Sequence, residues 1–214
     1  MDGVLVDSTP AVARVWRWWA QQHGFDPDVI ALQTHGRTTS ETMREILPHG
    51  DYLAETAEVE RREREDLSDI VALPGAAEVL RAIPEDRWTM VTSATRELAE
   101  IRLRVAGLPI PKNFVTADDL HHGKPHPEPY LKGAAVLRTP PRDCLVIEDA
   151  PSGVRSAKAA GAKVLALSTT IPAAELRTAG ADWLAGNLAS LSLAEISPTH
   201  LLFSLTAVEP AYRR

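Results

Sequence analysis

Residues 144–153 read CLVIEDAPSG, a short apolar run that ends in two adjacent carboxylates, Glu148 and Asp149. An apolar run of this length between turn signals predicts a strand buried on both faces. A helix is predicted to follow over 152–160, because Pro151 suits a first helical turn and Gly161 a helix end. The stretch therefore predicts a strand, an acidic turn and a helix.

The same order of elements recurs along the chain from Leu73 onward. Short apolar strands are predicted at 88–91, 114–115, 144–147 and 164–167, and helices at 76–83, 96–106 and 152–160. Strands that alternate with helices predict a parallel sheet with helices on both faces. We therefore expect an α/β, doubly wound (Rossmann-like) core, with residues 201–205 as an edge strand.

Residues 10–72 have a different pattern, because only helices are predicted there, over 11–22, 39–46 and 51–67. The last of these carries Glu and Arg at helical spacing, which is typical of a solvated face. We predict a small all-helical cap over residues 10–72, inserted into a core made of residues 1–9 plus 73–214.

Composition limits the function. The chain has 214 residues and a formal net charge of −6, which argues against nucleic acid as a partner, since phosphate backbones demand clustered Lys and Arg. No apolar run approaches the roughly 18 residues of a membrane span. The single cysteine, Cys144, cannot form an internal disulfide. We expect a cytoplasmic protein, a monomer, with a small-molecule partner and no membrane partner.

In a doubly wound sheet the ligand site lies at the carboxyl ends of the strands. Four polar clusters are predicted at that edge: Asp2-Gly3, Thr92-Ser93, the loop of Lys124, and Glu148-Asp149. The adjacent acids could simply cap a helix, but two buried carboxylates also suit a hard cation such as Mg²⁺.

Lys124 lies in the proline-rich stretch GKPHPEP, residues 123–129, and only 5 of the 23 basic residues are lysine. A lone loop lysine is commonly a solvated charge. Held on a stiff loop beside carboxylates, however, it is what a phosphoryl-transfer site requires. The hydroxyls of Thr92 and Ser93 could bind phosphate oxygens.

These four clusters, in this order, resemble the motifs of the haloacid dehalogenase superfamily over nearly the whole chain. The motifs are residues 1–8 (MDGVLVDS), Thr92-Ser93, Lys124 and residues 148–153 (EDAPSG). Residues 91–96 (VTSATR) and 123–133 (GKPHPEPYLKG) look closest to the sugar-phosphate, glycerol-phosphate and 2-deoxyglucose-6-phosphate phosphatases. Residues 34–38 (THGRT) resemble their substrate-reading cap loop.

The resemblance implies an Mg²⁺-dependent phosphatase acting on small sugar or polyol phosphate monoesters through an aspartyl-phosphate. It implies Asp2 as general acid and base, and Lys124, Thr92 and Ser93 as the groups that hold the phosphoryl group. The magnesium site would be formed by the family's nucleophilic carboxylate, the backbone carbonyl of Asp2 and Asp149, with Glu148 nearby. Substrate contacts would come from His35, Gly36 and Arg37.

One part of the family pattern is missing. The family's nucleophile is an aspartate two residues before the position of Asp2, preceded by the sheet's first strand, and residues 1–214 contain neither. We expect that an internal methionine codon was taken as the start, that the natural protein begins upstream, and that residues 1–214 are nearly inactive.

Other functions stay open or are disfavoured. A catalytically dead module that binds phosphate and Mg²⁺ shares every feature of the chain. A sugar-phosphate mutase would have a histidine where Val12 stands, and a dehalogenase would lack Asp2. A phosphonate hydrolase would need a cap lysine, but no lysine precedes Lys112.

Overall fold

The computed structural model describes residues 1–34 and 36–206. The helices are α1 (Thr9–His23), α2 (Pro27–Thr34), α3 (Thr39–Ile46), α4 (Tyr52–Glu65), α5 (Ala76–Ala82), α6 (Arg96–Val105), α7 (Glu128–Val136), α8 (Pro151–Ala159) and α9 (Ala173–Thr178). The strands are β1 (Val6–Asp7), β2 (Val71–Ala72), β3 (Leu145–Glu148), β4 (Lys163–Leu167), β5 (Trp183–Ala185), β6 (Leu191–Ile196) and β7 (Leu201–Leu205). None of the described helices is long and apolar enough to cross a bilayer.

A parallel sheet in the order β3-β4-β5 carries the α/β architecture. Its register pairs Glu148 with Ala166 and Leu165 with Trp183, so the three strands end at one edge. Helices α8 and α9 pack on this sheet through a cluster that includes Val154, Val164 and Leu176. The predicted α/β class with a parallel sheet is confirmed.

The sheet is open beside β3. The strands predicted at 88–91 and 114–115 reduce to one parallel bridge between Val91 and Val115, with Thr92 N donating to Val115 O at 2.9 Å. Within the described residues, no strand pairs with the other edge of β3 or with the free side of Val91. A cavity of about 1090 Å³, lined by Val91, Val146 and Ile147 among others, lies there instead. A strand that is paired along one edge only makes about half of the backbone hydrogen bonds of a central strand. This explains why the strands predicted at 88–91 and 114–115 are not formed in full.

Residues 191–205 close the core with a hairpin. The predicted edge strand at 201–205 is formed as β7, and it pairs antiparallel with β6, which the sequence analysis did not predict. Leu191 and Phe203 pack against the main apolar cluster.

The helical part has its own apolar cluster, made by α1 to α4 around Trp16, Trp19, Met43 and Val59. Trp19 is fully buried and donates from Nε1 to Glu55 at 2.8 Å, and the guanidinium of Arg62 lies over the ring of Trp18. The tryptophans are therefore packing surface. Helix α2 lies outside the sequence predictions.

The chain crosses between the helical part and the core twice, and the two crossings run side by side. They form the antiparallel pair β1 and β2, in which Val6 pairs with Ala72. Next to them, Arg14 of α1 binds Asp66 through two bonds of 2.8 Å and also reaches Asp69 at 3.0 Å. Arg14 thus fastens the second crossing to α1.

The Arg14–Asp66 pair gives a stability prediction. A charge-assisted hydrogen bond contributes about 1.5–3 kcal/mol, and partial exposure reduces that, so Asp66→Ala should lower the free energy of unfolding by about 1–2 kcal/mol. Asp69→Asn is the matched control, since the side chain of Asp69 is 68% exposed and Asn also tolerates the positive φ of 64° at this position, and it should cost under about 0.5 kcal/mol. Urea denaturation at pH 7 measures both.

The pH dependence of this stability difference follows from the direction in which the pKa of Asp66 is shifted. Hydrogen bonding to Arg14 holds the pKa of Asp66 below its usual value. The contribution is therefore complete above the ordinary carboxyl pKa and is lost as the pH falls through the lower folded value. Equal losses in the two variants at pH 7 would show that the paired geometry contributes nothing.

Candidate active site

One cavity of about 150 Å³ lies where the parallel strands end, under the helical part. Every predicted site residue that the structure describes lines it: Asp2, Gly36, Arg37, Thr92, Ser93, Lys124, Glu148 and Asp149. His35 lies outside the described residues. Residues far apart in sequence thus converge on one cavity. The cavity is smaller than the roughly 300–1,000 Å³ of pockets for drug-sized ligands, so its volume suits a smaller ligand.

Glu148 is the most heavily bonded group of the site. Its Oε1 accepts from Lys124 Nζ at 2.5 Å and from the hydroxyl of Tyr130, and its Oε2 accepts from the backbone N–H groups of Asp149 and Ala150 at 3.0 and 3.2 Å. These four donors use about all the acceptor directions that a carboxylate has. Glu148 thus holds Lys124 in place, and its predicted place at the metal stays a prediction.

The charges around Glu148 are set by burial and by Lys124. Burial alone would raise the pKa of Glu148, but the charge of Lys124 and the hydrogen bonds from Lys124 and Tyr130 together outweigh it and lower the pKa to about 2. Burial and the neighbouring carboxylate raise the pKa of the Tyr130 hydroxyl well above its usual value. The ionised carboxylate of Glu148 therefore accepts from the cationic Lys124 and from the neutral hydroxyl of Tyr130.

Asp149 has the opposite balance. Burial and the nearby charge of Glu148 raise the pKa of Asp149 to about 7, although Thr170 donates to its Oδ2 at 2.6 Å. Gly3 has a positive φ of 68°, and a Cβ there would lie 2.0 Å from Asp149 Oδ2, so only glycine lets the backbone approach this carboxylate. A buried carboxylate without sufficient positive charge, among oxygen donors, fits a hard divalent cation such as Mg²⁺.

Asp2 points away from that pair. Its Oδ1 accepts from Ser8 Oγ at 2.6 Å and from Arg102 Nη1 at 3.1 Å. Burial would raise the pKa of Asp2, but the charges of Arg102 and of the N-terminal ammonium and the hydrogen bond from Ser8 together outweigh it, and the net shift is downward. The Asp2 carboxylate is therefore engaged by Ser8 and Arg102, and the metal and proton-transfer roles of Asp2 stay predictions.

Arg102 is a site residue that sequence analysis missed. Its side chain is 4% exposed, and its second contact crosses to Glu63 of α4 at 3.4 Å. Burial raises the pKa of Glu63 above its usual value, although Arg102 opposes the shift. The available signal was helical spacing, because Arg102 shares the buried face of α6 with Leu98 and Leu103.

The helical part contacts the core at Gly36. The carbonyl of Gly36 accepts from Ser93 Oγ at 3.2 Å and from Ser152 Oγ at 3.4 Å. A Cβ on Gly36 would lie 2.7 Å from the Cβ of Ala150. Arg37 lines the cavity while its Nη1 contacts Glu45 at 2.6 Å. Thr92 is buried, and its Oγ1 accepts from the N–H of Ala94 at 3.2 Å.

A second contact between the two parts was also missed. Glu41 accepts from the N–H of Gly123 at 2.9 Å through Oε1 and from Thr38 Oγ1 at 2.9 Å through Oε2. The sequence signal was the spacing of Thr38 and Glu41, which predicts a capping box. The structure has that box at the start of α3. The same carboxylate therefore starts α3 and contacts the residue before Lys124.

The arrangement has a definite chemical capacity. A fixed ammonium and two hydroxyl side chains line one cavity with a buried carboxylate that suits a cation. Preorganised positive charge of this kind stabilises the charge that develops on a transferring phosphoryl group.

Comparison with known proteins agrees with this geometry. A model of the haloacid dehalogenase-like hydrolases matches residues 1–161. Hexitol phosphatase A of Escherichia coli (strain K12) is 40% identical over 173 residues, 78% of this chain and 80% of that protein. Glycerol-1-phosphate phosphohydrolase 2 of Saccharomyces cerevisiae is 32% identical over 203 residues, 89% and 81% of the two chains.

A solved hydrolase from Pseudomonas syringae has the same fold, with a TM-score of 0.75 and 26% identity over 88% of this chain and 92% of that one. The family model alone covers well over half of the residues, and it begins at the acidic loop of Asp2 and includes Lys124 and Glu148. The chain belongs to the haloacid dehalogenase-like hydrolases.

Proposed function

We propose that this protein is a phosphatase that hydrolyses small sugar or polyol phosphate monoesters with the help of Mg²⁺. The observation that carries the proposal is the single small cavity in which Lys124, Thr92, Ser93 and Asp149 meet under the helical part. The names of the two similar phosphatases, which act on hexitol and glycerol phosphates, support the substrate class.

The residues divide the work as follows. Lys124, aligned by Glu148, binds the phosphoryl oxygens, and the hydroxyls of Thr92 and Ser93 orient them. Asp149 would hold Mg²⁺, with a backbone oxygen of the Asp2 loop as a further ligand. The ion supplies positive charge that offsets the phosphoryl charge. Residues 10–72 act as a cap that excludes bulk water, with Arg37 toward the organic part of the substrate.

Asp2 is proposed as the group that protonates the leaving alkoxide and then takes a proton from the attacking water. In its present contacts it is held ionised by Arg102. We infer that substrate binding turns the Asp2 carboxylate from Arg102 toward the leaving oxygen, where a phosphate ester raises its proton affinity.

The attacking carboxylate is proposed to lie outside residues 1–214. The open edge of β3 and the free side of Val91 border a cavity large enough for an added strand, and Met1 lines both this cavity and the site. A strand in the gap that continues into Met1 would end beside Asp2 and Lys124. We propose that the residue directly before Met1, two positions before Asp2, is the aspartate nucleophile.

An extended chain tests the proposed function. A version that adds an apolar strand and an Asp directly before Met1 should hydrolyse sugar or polyol phosphates at a rate at least about a thousandfold above residues 1–214, because a nucleophile is restored to a cooperating set. The matched control ends the same strand in Asn, which pairs equally well and cannot attack phosphorus. Phosphate release measures all three proteins.

If both extended forms bind phosphate and Mg²⁺ but neither releases phosphate, the protein is a binding module. A comparable rate in residues 1–214 and in the Asp form would mean that the nucleophile lies elsewhere. The cytoplasmic location, the monomeric state and the absence of nucleic-acid and membrane partners stay predictions from composition.

The metal assignment gives a second prediction. Asp149→Asn should abolish the rise in melting temperature that Mg²⁺ causes, since binding to the folded state raises stability. It should also stabilise the metal-free protein above pH 7, because it removes a buried charge whose pKa is raised to about 7. Glu148→Gln should instead lower the free energy of unfolding of the metal-free protein by about 3–5 kcal/mol, because it breaks the buried pair with Lys124.

Calorimetric titration with Mg²⁺ and thermal unfolding at pH 8 separate the two roles. Equal losses of Mg²⁺ affinity in the two variants, each shown to be folded by circular dichroism, would contradict the division between Asp149 and Glu148.

Arg37 gives a prediction for substrate choice in the extended, active form. A guanidinium suits bidentate contacts to oxygens, so Arg37→Ala should raise KM for a hexitol or glycerol phosphate about tenfold or more. A small aryl phosphate, which offers no hydroxyl groups, should keep its kcat/KM. Arg44→Ala is the control, because Arg44 is a cation of the same helical part that faces Tyr52 and does not line the cavity. An equal loss for both esters would put Arg37 at the phosphoryl group.

A further inference from the structure

The loop that carries Lys124 holds a second polar cluster, on its outer side. His122, His126 and Glu128 each offer a ligand atom, and these atoms all lie within 4.8 Å of one another. The two imidazole rings are tilted by 31° with their centroids 4.6 Å apart. We propose that His122, His126 and Glu128 form a binding site for Zn²⁺, separate from the cavity of the proposed phosphatase.

The carboxylate and one imidazole already stand at ligand spacing. His122 Nδ1 lies 3.1 Å from Glu128 Oε2. Two ligands of a tetrahedral zinc ion with bonds of about 2.0–2.1 Å are about 3.3 Å apart. A zinc ion would take the place of the proton that these two atoms share, and that proton passes to solvent.

Glu128 is fixed and anionic. Backbone N–H groups of His121 and His122 donate to its two oxygens at 3.0 Å each, and its side chain is 14% exposed. These backbone bonds, followed by Lys132, hold the pKa of Glu128 far below its usual range. Lys132 contacts Oε1 at 2.7 Å, whereas Oε2 faces the ring of His122.

The backbone of His126 is held as well. Its N–H donates to Gly123 O at 3.0 Å, and its carbonyl accepts from Ser156 Oγ at 2.6 Å. The exposed ring can rotate while this backbone stays in place, and its ligand atom already lies within 4.8 Å of the other two. In its present orientation Nδ1 accepts from the N–H of Glu128 at 3.2 Å, a bond that water can replace.

The donor set selects the cation. Imidazole nitrogen and one carboxylate suit zinc and neighbouring transition metals, whereas Mg²⁺ prefers oxygen ligands only. Three protein ligands leave a fourth position for water. Lys124 lies between His122 and His126 in the sequence, so an ion bound by both histidines would link the chain on either side of Lys124. Zinc would therefore restrict the motion of the loop that carries Lys124, without entering the cavity of the proposed phosphatase.

The test is calorimetric titration of tag-free residues 1–214 with Zn²⁺ in excess Mg²⁺, which occupies oxygen sites. We expect one equivalent of Zn²⁺, and at least about a tenfold loss of affinity in His122→Ala and in His126→Ala. His121→Ala is the matched control, because it removes a neighbouring imidazole that is not in the cluster, and its affinity should not change. Neither outcome depends on phosphatase activity.

Thermal unfolding provides the second measurement. Zn²⁺ should raise the melting temperature of the parent chain and of His121→Ala, but not of the double variant His122→Ala/His126→Ala. Replacement of these exposed rings leaves the core intact. Zinc binding that is unchanged in the double variant, or that is lost equally in His121→Ala, would overturn the site.

Discussion

The buried ion pair between Lys124 and Glu148 organises the site. Both side chains are at most 7% exposed, so neither charge is well hydrated and each needs the other. Glu148 closes β3, and its second oxygen accepts from the turn that starts α8. Lys124 and Tyr130 come from α7 and the loop before it, which precede β3 in the chain. One carboxylate therefore fixes the distance between three parts of the chain.

The packing around that carboxylate explains a glycine. A Cβ on Gly153 would lie 2.0 Å from Glu148 Cδ, so the first turn of α8 can pass over the pair only because it has no side chain there. Residues 148–153 (EDAPSG) thus contain the buried acid Glu148, the carboxylate of Asp149, which suits a cation, and a glycine, Gly153, that leaves room for Glu148.

Local patterns predicted the elements whose signals are local. The apolar run before Glu148, the helix end at Gly161 and the strand at 164–167 all appear in the structure as β3, α8 and β4. Helix α7 was not predicted. Its first residues fall in the stretch interpreted as a stiff loop, because Pro127 and Pro129 are turn signals as well as residues of a first helical turn. The strands at 88–91 and 114–115 depend on a neighbour in the sheet, which no local pattern reports.

The same limit applied to the site. The residue types that converge on the cavity were predicted, since strand ends meet at one edge of a sheet. Their partners were not, because the bonds of Asp2 to Arg102 and of Gly123 to Glu41 join residues far apart in sequence. For the same reason the sequence placed Glu148 at the site but did not predict its bonds to Lys124 and Tyr130.

The contact of Arg102 with Glu63 has a kinetic consequence. These two charges lie on opposite sides of the boundary between α6 and α4, and both are nearly inaccessible to water. Any outward swing of the helical part must separate them before water fills the space, so the barrier contains the unscreened attraction of a dry pair. Mobile ions reach the pair only after separation and lower the energy of the open state. Higher ionic strength should therefore shift the balance toward the open form, while the rate at which the cavity opens stays nearly constant.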